Sequence, residues 1–207
     1  MTAMPTVVSA EEWEKARAEL LVAEKAATRE QDRLAAQRRR LPMVEFPEYT
    51  FASVDGPVTL LELFGDQQQL ALYQFMHSGP DHFCPGCTHF TKHVSNLDIL
   101  ARSGLAWATV SDMPIDQMAG YWKKMGWDVP FASSAGTTFS ADCGAGGGFL
   151  LNMFLRDGDT VYRTYSTGSR GVDRLLFVNH LLDHAPYGRQ EDWEDSPEGW
   201  PQDPTYG

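Results

Sequence analysis

The sequence predicts an α/β protein with a mixed sheet and helices on both faces. Three observations carry this. The continuous apolar runs 70–76 (LALYQFM) and 105–111 (LAWATVS) have strand length and read as buried strands. Each is followed by a helical segment, and strands separated by helices of that length form right-handed crossovers with parallel pairing. The stretch 149–166 (FLLNMFLRDGDTVYRTYS) reads as a hairpin about Asp157-Gly158-Asp159, which adds antiparallel strands.

The elements follow in chain order. Residues 9–40 form one long helix, opened by Ser9 and Glu12 as a capping box and closed by Arg38, Arg39 and Arg40. Trp13, Leu20, Ala27, Leu34 and Leu41 recur every seven residues, with Ala16 and Ala23 beside the first of them. This narrow apolar seam suits docking on the body of the protein or on a second copy of the chain, giving a homodimer through the N-terminal helix. Pro42 ends the helix, and a hairpin about Asp55-Gly56 follows. The first buried strand then leads through the loop 77–83 into a helix over Pro85–Ala101, with Phe90, Val94, Leu97 and Ala101 on one face. Gly104 stops it. The second buried strand leads to a helix over Pro114–Met125, stopped by Gly126, and then to a short strand at 130–134. After a glycine-rich connection and the hairpin, Gly171–Ala185 supplies a last helix. The domain expectation is a helical extension at 1–42, an α/β domain at 43–187 and an acidic tail at 188–207. The tail holds six acids against the single base Arg189 and reads as solvated.

Composition narrows the function classes. The 207 residues are 43% hydrophobic, which suffices for a core. The net charge of −11 argues against nucleic acid as a partner, because phosphate binding needs a basic surface. No apolar run is long enough to span a bilayer, and the N-terminus lacks a basic region followed by an apolar one. With three cysteines and no export signal, the expectation is a cytoplasmic protein without a disulfide framework. There, close cysteine pairs are catalytic or metal-binding.

That pair is in the stretch 83–90, FCPGCTHF. Cys84 falls at the start of a helix, and Pro85 suits the first helical position. Unpaired amides at a helix start stabilise a thiolate, and Cys87, three residues on, faces back toward it. This suits a nucleophile, Cys84, with a resolving partner, Cys87. Two other readings stand beside it, a zinc or ligand site and a purely structural pair. A metal would need His82, His89 or His93 as further ligands. At about 100° per residue, His89 and His93 lie about 200° and 240° from Cys87 on the helix and point away from it. Arg163 and Arg170 are surface charges or, on a sharper reading, cations aimed at the thiolate. Cys143 reads as a small buried hydrophobe.

Several stretches together resemble one bacterial family, the DUF899 thioredoxin-like proteins. They are EEWEKARAELLVAEKAATREQDRLAAQRRRLP, CPGCTHF, KKMGWDVPFASSAGTTFSADCG, RDGDTVYRTYSTGSRGVD and LLDHAPYGRQED, spread from about residue 9 to 192. The resemblance implies a thioredoxin-like fold of the subgroup with an N-terminal hairpin, seen in peroxiredoxins and TlpA-type proteins. On such a fold the cysteine pair itself gives the expected function, thiol–disulfide exchange at Cys84 and Cys87 with a thiol reductant and a disulfide or peroxide as partners and no cofactor, the alternative being a metal- or ligand-binding module. Two departures stand out. Peroxiredoxins carry Thr three residues before the attacking cysteine, where this chain has Asp81. Thioredoxins place a cis-proline beside the pair. Here the candidate by distance is Pro130, whereas the topological position holds Gly148.

Overall fold

The computed structural model describes residues 4–94 and 96–203. It divides into two units, one of residues 43–180 and one of residues 4–42 with 181–203.

The larger unit is built on a sheet of eight strands among the described residues. In chain order these are β1 (Val44–Glu45), β2 (Thr50–Ser53), β3 (Gly56–Thr59), β4 (Gln69–Phe75), β5 (Leu105–Ser111), β6 (Phe131–Ser133), β7 (Leu150–Asp157) and β8 (Thr160–Thr167). The helices after α1 (Ala10–Arg38) are α2 (Pro85–Lys92), α3 (Leu97–Arg102), α4 (Ile115–Met125), α5 (Phe139–Asp142) and α6 (Phe177–Leu182). The spatial order is β1-β8-β7-β4-β5-β6-β2-β3. β4 lies at the centre, parallel to β5 and antiparallel to β7, and β5 is parallel to β6. The order β5-β4-β7-β8, with β7 and β8 antiparallel, is that of a thioredoxin-like fold, and the β2-β3 hairpin extends it through Ala52 and Ser133.

The steps from β4 to β5 and from β5 to β6 run in the same direction, so right-handed crossovers put α2, α3 and α4 on one face. The side-chain period of two then sorts the core into two layers. Ala71, Tyr73 and Phe75 of β4 pack with Cys87 and Phe90 of α2 and Met118 and Trp122 of α4. Leu70 and Leu72 point the other way, into a layer with Phe46, Phe51, Phe64, Phe139 and Phe154. β4 reads as a continuous apolar run because both of its faces are covered.

Two of the predicted helices are broken. The segment 85–101 ends its first helix at His93 and resumes at Leu97, with Asn96 in the left-handed region at φ 56°. Asparagine is among the few residues that tolerate that conformation. The segment 171–185 is a 3-10 turn over Ser169–Leu175, then α6. Leu176 between them is extended (φ −101°, ψ 109°) and buried in the α2-side layer, so packing overrides helix continuation. Gly171 in this turn lies so close to β8 that an added Cβ would stand 2.1 Å from Thr167 Oγ1.

In the smaller unit, α1 has the predicted capping box. Ser9 accepts from Glu12 N at 3.3 Å, and Ser9 N donates to Glu12 Oε2 at 3.0 Å. No α1 side chain is fully buried, and the seam residues Trp13 (56%) and Leu20 (55%) are exposed. The segment after α6 is not the solvated acidic tail the charge count suggests. Arg189, 7% exposed, pairs with Asp183 at 2.7 Å, and Glu191 is buried. The Glu194 carboxylate accepts from the backbone N–H groups of Arg189 and Gln190. A single guanidinium with several donors organises the acids around it.

Candidate active site

The β4 strand delivers the chain to the cysteine pair. A single bridge between His77 and Phe83 closes the loop after β4, and α2 begins at Pro85. Proline suits this position because its missing N–H would have no helical partner. Cys84 is therefore the N-cap, and its Sγ accepts a hydrogen bond from Cys87 N at 3.2 Å. Sulfur takes the place that a serine or aspartate oxygen holds in an ordinary cap. Cys87 is fully buried; its Sγ accepts from Met76 N at 3.5 Å. Cys84 keeps a small exposed face (6%). Both are free thiols in this structure.

The two thiols are electrostatically unlike. Cys84 is held down to about 6, foremost by the hydrogen bond from the Cys87 thiol. Burial opposes this, while the backbone N–H groups of Cys87 and Gly86 and the charge of His82 favour the thiolate further. Cys87 is pushed up, first by donating to Cys84 and then by burial; the Tyr73 hydroxyl and Met76 N–H work against that rise. At pH 7 Cys84 is then about nine-tenths thiolate, whereas an ordinary cysteine is a few per cent ionised. The expected result is that the rate of iodoacetamide labelling at Cys84 rises with pH through a midpoint near 6 and is flat above pH 7. A midpoint above 8 would contradict this picture.

Tyr73 is a site residue that sequence reasoning missed. It is buried in β4, stacks on Phe90 with centroids 4.3 Å apart, and sets its hydroxyl against Cys87. The signal was a single hydroxyl-bearing side chain in the apolar run LALYQF, on the face shared with Ala71 and Phe75. Beyond Cys87 itself, the side chain that acts on the Cys84 charge is His82, in the place the sharper sequence reading offered to Arg163 or Arg170. Beside the pair, Phe83 stacks on Tyr121, and the Tyr121 hydroxyl is 2.7 Å from Thr88 Oγ1.

The other predicted residues are dispersed. Asp81 is exposed in the loop before Phe83. Arg163 donates to the Asp142 carbonyl at 3.2 Å and lies over the Phe46 ring, in the layer on the far side of the sheet. Arg170 pairs with Asp173 at 3.7 Å. Pro130 sits at the start of β6, two strands from β4, with its carbonyl accepting from Thr109 N. The segment that leads into β7 beside the end of β4 carries Gly148 and Phe149, since Leu150 pairs with Gln74. His89 Nε2 is 3.3 Å from Asn179 Oδ1, and His93 Nδ1 is 2.7 Å from the His89 carbonyl. Among the described residues no three His, Cys, Asp or Glu side chains converge as a metal site. Cys143 packs in the layer across the sheet from the pair and donates to the Ser140 carbonyl at 3.4 Å; burial pushes its thiol up. No helix among the described residues is long and apolar enough to cross a membrane.

Fold and site together define a thioredoxin-fold protein with a cysteine pair at the start of the helix after its central strand. The chain belongs to the DUF899 family, described as bacterial protein of unknown function, whose model matches residues 2–206. No curated protein matches it. Among solved structures, the peroxidoxin BcpB from Mycobacterium tuberculosis is 20% identical, with a TM-score of 0.48 over 63% of this chain and 86% of that one. A thioredoxin-like protein from Bacteroides caccae is 14% identical, with a TM-score of 0.44 over 75% of this chain and 56% of that one. Reduced Prx3 in complex with H2O2 from Vibrio vulnificus is 19% identical, with a TM-score of 0.44 over 60% and 82%. The fold assignment rests on the strand order itself.

Proposed function

We propose that the protein is a thiol–disulfide oxidoreductase in which Cys84 attacks and Cys87 resolves. The observation that carries this is the asymmetry of the pair, a stabilised thiolate at Cys84, whose residue keeps a small exposed face, and a protonated thiol at the fully enclosed Cys87. The Cys84 thiolate attacks one sulfur of a substrate disulfide, forming a mixed disulfide and releasing the other sulfur as a thiolate, which takes a proton. The loss of charge on Cys84 removes the largest cause of the high Cys87 pKa. Cys87 then loses its proton and attacks Cys84 Sγ. The substrate leaves as its second thiolate, and two electrons have passed to it from the pair, now a disulfide. An external thiol reductant restores the dithiol, and no cofactor enters the cycle.

A disulfide is the substrate this reading favours over a peroxide, because Asp81 stands where peroxiredoxins carry threonine. Turnover of a protein disulfide and of hydrogen peroxide, each at fixed dithiothreitol, tests the choice. Faster consumption of peroxide would reverse it, and turnover of neither would overturn both. The competing metal reading predicts one equivalent of zinc that blocks alkylation of both cysteines, and elemental analysis after zinc loading decides it.

The reading extends to the rest of the chain. We assign residues 43–187 to the redox domain, 1–42 to a helical extension and 188–207 to a C-terminal tail, in a cytoplasmic protein. The exposed seam on α1 is the dimer contact, since a helix about 43 Å long leaves Trp13 and Leu20 in water. Light scattering is expected to give twice the chain mass for the natural protein and the chain mass for Leu20→Glu. A monomer at every concentration would remove this assignment.

A further inference from the structure

We propose that the sheet unit carries a second binding site, an apolar cavity that takes a small uncharged molecule with a compact, one- or two-ring hydrocarbon body and one hydroxyl group. The cavity holds about 270 Å³. Its floor is Ala71 of β4, Trp107 of β5 and Leu151 and Met153 of β7, and Phe90 and Leu100 wall it from α2 and α3. Neither cysteine lines it. A dry cavity of ~150 Å³ lined by apolar side chains binds benzene, so this volume suits a two-ring body.

Two features select the ligand's chemistry. The lining contains no Lys, Arg, Asp or Glu, so nothing would offset the desolvation of a charged ligand. Its one ionisable side chain is His93. His93 Nδ1 is 2.7 Å from the His89 carbonyl oxygen, which can only accept, so Nδ1 carries the proton. In the neutral ring Nε2 is then an acceptor, and among the described residues it has no hydrogen-bond partner. An apolar body with one O–H donor matches both the wall and the nitrogen. Leu175, which also lines the cavity, is 55% exposed, so the mouth is apolar as well. Phe90, in the wall, stacks on Tyr73, so the cavity abuts the redox site without including it.

The test is titration calorimetry with 2-naphthol and with naphthalene on the full chain. The expected result is saturable binding of one 2-naphthol per chain. Ala71→Leu, which fills the floor, weakens it by about tenfold or more. His93→Phe weakens 2-naphthol by about fivefold, the size of one hydrogen bond, and leaves naphthalene unchanged. Cys84→Ser leaves both unchanged, so the result stands or falls apart from the redox reading. Absence of saturable binding would overturn the proposal. So would natural affinity for 2-naphthol in His93→Phe, a variant that leaves the core intact and remains informative if Ala71→Leu does not fold.

Discussion

Cys84→Ser is expected to abolish disulfide exchange, and Cys87→Ser to stall it at a mixed disulfide. Serine at 84 keeps the N-cap hydrogen bond, because an Oγ accepts from Cys87 N as well as sulfur does. Stability should therefore be nearly unchanged while the nucleophile is lost. A drop in turnover on the order of 10³-fold or more follows, the range seen when an enzyme loses the group that attacks. Serine at 87 leaves a nucleophile without a resolving thiol. That variant is expected to accumulate one substrate thiol per chain, seen as a mass increase that dithiothreitol reverses. Activity retained in Cys84→Ser would sink the mechanism outright.

Trp122→Ala is expected to destabilise the protein by about 4 kcal/mol, near the upper end for truncating a buried aromatic. Trp122 is fully enclosed on the α2 face, with the Trp127 ring 4.9 Å away and those of Phe131 and Phe75 at 5.1 and 5.7 Å. Its Nε1 donates to the Val129 carbonyl at 2.9 Å, so truncation leaves both a cavity and an unpaired acceptor. Denaturant unfolding followed by circular dichroism measures the loss. A change below 1 kcal/mol would mean that the layer holding Cys87 is not packed as described.

The strands from β2 onward and several helix ends were legible because each has a local cause, whereas the two-residue β1 has no such signal. β4 and β5 are covered on both faces and so read as unbroken apolar runs; Ser9 and Gly126 mark their helix ends by capping chemistry. The breaks at Asn96 and Leu176 were not legible, since they answer to packing between distant elements rather than to local propensity. The cysteine pair was legible as a motif, together with its place at a helix start. Tyr73 was not, because its relation to the Cys87 sulfur is spatial, whereas His82, two residues before Cys84, was legible only as a candidate ligand. Arg163 shows the reverse case for the sharper of the two readings given to it. A cation in a hairpin near the sheet centre looks available to a thiolate, but the period of two sends it to the other face, over Phe46. The acids near the C-terminus read as solvated because a charge count does not reveal that one arginine will be buried among them.

The most direct test of the central claim is intact mass after thiol alkylation, comparing protein reduced by dithiothreitol with protein then exposed to oxidised glutathione or mild peroxide. The account predicts three alkylations in the reduced protein and one in the oxidised protein, with peptide mapping placing the new disulfide between Cys84 and Cys87 and the remaining label on Cys143. Three alkylations at every oxidant dose would contradict it.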